Sequence, residues 1–86
     1  MKAQYTHTFL KDYKKMPSVI QKAFEGKLDF LLKNTNHPSL RVKKIQGTSG
    51  RIWEASITMN YRLTFQMTED TVLLRRMGTH DILKRP

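Results

Sequence analysis

A chain of 86 residues has room for a single hydrophobic core and hence for one domain, 1–86, and its 38% hydrophobic and 27% charged residues are the composition of a folded protein. The absence of cysteine excludes disulfide scaffolds, thiolate zinc sites and cysteine nucleophiles, and it suits a reducing compartment. Sixteen Lys and Arg against seven Asp and Glu give a net charge of +9, which points to a polyanionic partner, with a solubilising basic face as the plain alternative.

The opening stretch MKAQYTHTFLKDY lacks the apolar core of an export signal, and the longest apolar runs, such as Phe30-Leu31-Leu32, are far too short to span a bilayer. A cytoplasmic protein without a membrane partner is expected. Residues 3–8 alternate weakly and read as a short first strand at a sheet edge, which would carry His7. From Phe9 the period becomes helical. Phe9, Leu10 and Tyr13 mark a short helix, Met16-Pro17 makes the corner of a helical hairpin, and 17–33 is the clearest helix. Along it Val19, Ile20, Ala23, Phe24, Leu28, Leu31 and Leu32 recur at three- and four-residue spacing, Pro17 suits the first turn, and Gly26 is the weak point. The stretch NTNHPS, with His37, is then a loop.

Beyond that loop the period drops to two. Leu40, Val42 and Ile45 alternate with basic residues, GTSG makes a turn, and 52–58, 61–67 and 71–77 read as three further strands joined by tight connections. The fold class is therefore α+β: an N-terminal strand, a helical hairpin, then an antiparallel four-strand meander with the helices packed on one face. In YRLTFQM, alternation sends Tyr61, Leu63, Phe65 and Met67 toward the helices and Arg62, Thr64 and Gln66 to the open face. In the last strand it does not say which of Arg75 and Arg76 faces outward.

Three positions are candidates for chemistry. Arg62 is aimed at the open face, and arginine donates a planar fork of N–H groups to phosphate oxygens. His80 follows Gly78, where the chain can turn off the strand end and bring the imidazole back toward Arg62; histidine as a residue type exchanges protons near neutrality. Glu54 lies on the face opposite Trp53 and can pair with Arg62 across the hairpin or serve as a base. Basic residues that could hold a polyanion are Arg41, Lys43, Lys44 and Arg51, in an acid-free block between Phe30 and Trp53, together with Arg75, Arg76 and Lys84 near the end. His7 and His37 read as structural or solvent-facing, the three histidines make no metal-ligand spacing, and Trp53 reads as packing residue before base-stacking platform.

The strand LRVKKIQG, the hairpin IWEASITMNYRLTFQM with Trp53 nine residues before Arg62, and the ending LLRRMGTHDILK, in this order, resemble the RelE/ParE superfamily of toxins from bacterial toxin–antitoxin pairs. The resemblance spans nearly the whole chain. It implies the RelE-like fold and, in the RelE-, YoeB- and YafQ-like branch, a ribosome-dependent endoribonuclease that cleaves messenger RNA in the A site. The reaction in that branch is a metal-free attack of the 2′-hydroxyl on the adjacent phosphate, with no cofactor, and a cognate antitoxin, acidic against this basic chain, silences it. Contacts to ribosomal RNA follow from the same setting. The resemblance carries over Arg62 as the phosphate-binding arginine, His80 as the histidine near the C-terminus, and Lys43 and Lys44 as part of the RNA-contacting strand. No equivalent of the glutamate base in the loop before the third strand is evident, and DILKRP continues past His80 where YoeB-like chains end. A ParE-like gyrase inhibitor, or an inactive homologue that only binds its antitoxin, is the alternative the resemblance leaves open.

Overall fold

The structure is a computed structural model that describes all 86 residues. Five strands and two helices follow in the order β1 (Lys2–Tyr5), α1 (His7–Lys15), α2 (Ser18–Lys33), β2 (Lys43–Lys44), β3 (Trp53–Ser56), β4 (Arg62–Met67) and β5 (Thr71–Gly78). Two 3₁₀ segments, Pro38–Leu40 and His80–Lys84, complete the chain. One mixed sheet of order β1-β5-β4-β3-β2 holds all five strands: β2 to β5 form the antiparallel meander, and β1 adds to the edge parallel to β5. The expected class holds, with the first strand joined to the meander in a five-stranded sheet.

Thr6 ends β1 and starts α1 with a single hydroxyl. Its Oγ1 accepts from the Phe9 N–H at 3.0 Å, capping the helix, and donates to the Arg75 carbonyl at 2.8 Å, closing the strand pair. The expected first strand is thus shorter than 3–8, and His7 stands in the first turn of α1 and not on an edge strand. Met16 and Pro17 form the expected corner, tied by Gln21, whose side-chain amide donates to the Tyr13 carbonyl at 2.8 Å.

The helices bury Phe9, Ile20, Phe24 and Leu31 against Ala55, Leu63, Phe65, Val72, Leu74 and Met77 from the sheet, each large side chain contributing about 1.5–3 kcal/mol of transfer free energy. Val19 departs from the helical pattern: it is 69% exposed, because the α2 stripe that meets the sheet runs through Ile20, Phe24 and Leu31. The expected strand over Leu40–Ile45 is reduced to two residues. Leu40 is buried in a 3₁₀ turn capped by His37 Nδ1, and Arg41 adopts a left-handed φ of 49°, which breaks the extended backbone before Lys43. His37 also stacks on Phe30 with ring centroids 4.1 Å apart.

A β-bulge decides the facing of β5. Thr64 pairs with Arg76 while Phe65 pairs with Leu74, so Arg75 is an extra residue in the ladder. Val72, Leu74 and Met77 therefore all reach the core, and both Arg75 and Arg76 face away from it. Above the end of β1 the open edge of β5 is satisfied by Asp12 of α1, whose carboxylate accepts from the Met77 N–H at 3.1 Å and from Arg76 Nε at 2.8 Å.

The outward face of the sheet is not open throughout. The segment after Gly78 folds back over it: Ile82 is buried, and Pro86 O receives Arg75 Nε at 3.1 Å and Thr64 Oγ1 at 3.4 Å, which leaves Thr64 without solvent exposure. Gly78 serves this return through its size and not through a positive φ, since a Cβ there would stand 2.9 Å from Ile82 Cγ2. Gly78→Ala should accordingly lower stability by about 1–3 kcal/mol in chemical denaturation, the usual scale of overpacking, and the loss should be smaller when introduced into an Ile82→Ala background. Additive losses would show that the contact is relieved in some other way.

Candidate active site

Register places the candidate residues in rows on the outward face. Ser56, Arg62 and Gly78 are paired across β3, β4 and β5; the next row is Lys43, Glu54, Thr64 and Arg76. Directly opposed residues point the same way, so Lys43, Glu54, Ser56 and Arg62 share one surface. Lys44 does not share it. It pairs with Trp53 and lays its ammonium 5.2 Å from the indole centroid, on the side where Trp53 packs against the core.

Arg62 is the centre of this arrangement. Its guanidinium donates through Nη1 to Ser56 Oγ, and its Nε stands 3.9 Å from Glu54 Oε1, a distance that gives charge attraction without a hydrogen bond. The Arg62 side chain is 24% exposed and that of Glu54 8%. Glu54 is therefore a buried counter-charge and Ser56 an orienting acceptor, and the remaining guanidinium N–H groups are presented at the surface. Of the two roles open to Glu54 from the sequence, the geometry shows the ion pair. Ser56 was absent from the sequence reading, although two-residue alternation from Glu54 places it on the same face.

His80 begins the C-terminal 3₁₀ segment, two residues after the one paired with Arg62, and is exposed. Because the segment packs across β4 and β5 and ends on Thr64, its start lies at the Arg62 end of the outward face. Arg75 is held by Gln66 Oε1 at 2.6 Å and by Pro86 O, and Arg76 by Asp12 and by the Arg85 carbonyl at 3.2 Å. Arg51 is exposed in the loop between β2 and β3, and Arg41 is exposed beside the first 3₁₀ turn. Lys84 is exposed at 84% with Asp81 at 3.9 Å. The outward face thus gathers Lys43, Glu54, Arg62, Arg75 and Arg76, with His80 exposed at the start of the segment laid over it, while Lys44 points to the other face. No cluster of three His, Asp or Glu side chains able to hold a metal ion occurs in the chain.

Neither a protein-family model nor a curated protein sequence matches the chain. The fold is that of solved toxins. YafQ from E. coli strain BL21(DE3) superposes with a TM-score of 0.75 at 20% identity, covering 95% of this chain and 96% of its own. The YoeB dimer from Staphylococcus aureus gives 0.80 at 13% identity over 93% and 97%, and the RelB–RelE antitoxin–toxin complex from Methanococcus jannaschii gives 0.73 at 25% identity over 94% and 94%. The chain thus has the fold of the RelE, YoeB and YafQ toxins.

Removing the buried counter-charge should be felt in the fold, whereas removing the exposed imidazole should not. Glu54→Ala leaves Arg62 without its carboxylate and should cost about 1–3 kcal/mol in urea denaturation. His80→Ala should leave the denaturation midpoint nearly unchanged, and a large loss would assign the histidine a packing role instead.

Proposed function

We propose that this chain is the toxin of a toxin–antitoxin pair and acts as a ribosome-dependent endoribonuclease that cleaves messenger RNA in the A site without a metal ion. The observation that carries the reading is Arg62, presented on the sheet face by Glu54 and Ser56 at the end where His80 stands. RNA brings its own nucleophile. The 2′-oxygen bonds to the adjacent phosphorus, the bond from phosphorus to the 5′-oxygen breaks, and the products end in a 2′,3′-cyclic phosphate and a 5′-hydroxyl.

In that reaction Arg62 donates to the non-bridging oxygens as negative charge grows on the phosphate. Protonated His80 gives its proton to the departing 5′-oxygen. Glu54, buried against Arg62, acts by positioning the guanidinium, and the proton of the 2′-hydroxyl leaves to solvent. Lys43, on the same face, holds a neighbouring phosphate. Histidine and arginine suffice in kind because the leaving group needs a proton and the phosphorane needs a fixed cation; neither task calls for a Lewis acid.

The antitoxin belongs to the same reading. Three of the similar structures are antitoxin–toxin complexes, one of RelB–RelE and two of E. coli DinJ–YafQ. On this chain a groove of about 310 Å³ between α1 and α2, lined by Tyr5, Leu10, Tyr13 and Leu28 among others, fits the apolar face of an amphipathic helix. With +9 on the toxin, an acidic antitoxin would associate quickly and in a salt-dependent way.

Primer extension on ribosomes programmed with a defined message tests the activity. New 3′ ends should appear in the A-site codon with wild type, and Arg62→Ala and His80→Ala should each slow single-turnover cleavage by roughly 10² or more, with the double variant losing less than the product. Lys43→Ala should instead weaken binding and lower the salt slope by about one. Intact transcripts together with blocked DNA supercoiling would replace this reading with gyrase inhibition, and full-rate cleavage by folded His80→Ala would remove the histidine from the chemistry.

A further inference from the structure

A second basic site lies on the same sheet face, beyond the residues given catalytic work. It is a groove of about 700 Å³ between the loop that joins β2 to β3 and the returning C-terminal segment, floored by β4 and β5. Three arginines, Arg51, Arg75 and Arg85, line it, together with the hydroxyls of Thr48 and Ser49 and the amide of Gln66; none of its lining side chains is acidic. The sequence places Arg51 and Arg75 far apart and gives no sign that Arg85 joins them.

The groove is assembled by specific contacts. Arg75 follows the core-facing Leu74 and so points outward, and the bulge at this residue keeps it out of the ladder while Arg76 beside it also faces outward. Gln66 Oε1 takes its Nη1 and Pro86 O its Nε, which holds the guanidinium in one plane with its other N–H groups unspent. On the facing wall the loop is shaped by three residues in left-handed backbone, Gly47 at φ 83°, Ser49 at φ 57° and Gly50 at φ 71°. Thr48 braces it, donating from Oγ1 to the Ile45 carbonyl at 2.7 Å.

We infer that this groove is a non-catalytic subsite for the phosphodiester backbone of single-stranded RNA, with Arg51, Arg75 and Arg85 as its phosphate contacts. The inference rests on the ribonuclease reading for its choice of polyanion, and the groove's place on the same side of the sheet, beyond the returning C-terminal segment that covers Thr64, carries it. Gln66 follows Arg62 by four residues on the outward side of β4, so the groove lies about 13 Å from the reaction site along the strand, a span of a few nucleotides. A chain whose scissile phosphate sits on Arg62 and which passes over the C-terminal segment covering Thr64 places a later phosphate among the three arginines. Arginine suits this position because it makes paired hydrogen bonds to phosphate and stays charged at any relevant pH. The subsite fixes the register of the RNA without touching the reacting atoms, as backbone contacts do elsewhere.

Equilibrium binding separates this subsite from the chemistry. A short fluorescent single-stranded RNA, 2′-O-methylated throughout so that it cannot be cut, is titrated with the full chain and read by anisotropy over a range of salt. Arg51→Gln and Arg85→Gln should each weaken binding about tenfold, the size of one lost charge-assisted hydrogen bond, and lower the salt slope by about one. Lys14→Gln, which removes an equal charge from exposed α1, should weaken it less than twofold. A neutral methylphosphonate scanned along the RNA should reproduce the loss at one linkage, and at that linkage it should cost little more in Arg51→Gln. Equal losses in all three variants would reduce the groove to general charge and overturn the inference, as would absence of binding by wild type. Preference for an acidic peptide over the RNA would also overturn it, giving the groove to a protein partner. Cleavage by wild type on the ribosome, measured alongside, reports on the ribonuclease reading alone, so a failed subsite and a failed enzyme are told apart.

Discussion

One extra residue in β5 organises the functional face of this protein. Without the bulge at Arg75, alternation from Val72 and Leu74 would send Arg76 into the core and Met77 out of it. A buried, unpaired guanidinium costs several kcal/mol, and a lost Met77 would open a gap beside Leu63. With the bulge, Val72, Leu74 and Met77 stay inside and two arginines stand outside. Everything laid over that face then follows: Arg75 meets Gln66 and Pro86, Arg76 meets Asp12 and Arg85, and the C-terminal segment is held down by its own main-chain oxygens. The same contacts that satisfy the arginines position the stretch on which His80 stands.

Arg62 shows how a small domain keeps a charged group poised at its surface. Burial of Glu54 is tolerable because a guanidinium lies beside it, and Arg62 is restrained because one carboxylate and one hydroxyl flank it on the adjacent strand. The restraint reduces the entropy the guanidinium would lose on binding an anion. Both anchors come from β3, so the site is built on a hairpin whose register is set by core residues Ala55 and Leu63 on the opposite face. Positioning and folding are therefore coupled, and a substitution at Glu54 acts on both.

The excess of positive charge is distributed with the same economy. Arg76 is neutralised by Asp12 and Arg62 is balanced by Glu54, while Arg51, Arg75 and Arg85 gather where no acidic side chain faces them. Such a gathering raises the local concentration of any polyanion and would repel the arginines from one another in its absence. Gln66 Oε1 and Pro86 O together hold the direction of Arg75, and its remaining N–H groups stay available to a ligand.

The sequence by itself determined the α+β class, the helical hairpin, the meander and the outward aim of Arg62, because each rests on local periodicity: 3.6 residues in α2, two in β4. It also carried the resemblance on which the toxin reading was first based. Only the tertiary structure decided the rest. Period-two logic could not choose between Arg75 and Arg76, since a bulge depends on the partner strand. The resemblance gave Lys43 and Lys44 one role, although pairing with β3 sends them to opposite faces. Alternation took His7 for a strand residue, whereas the hydroxyl of Thr6 ends the strand by bonding Arg75, a residue 69 positions away. The placement of Arg51, Arg75 and Arg85 around one groove was invisible for the same reason: contacts between residues remote in sequence are set by how the elements pack, which no local pattern encodes.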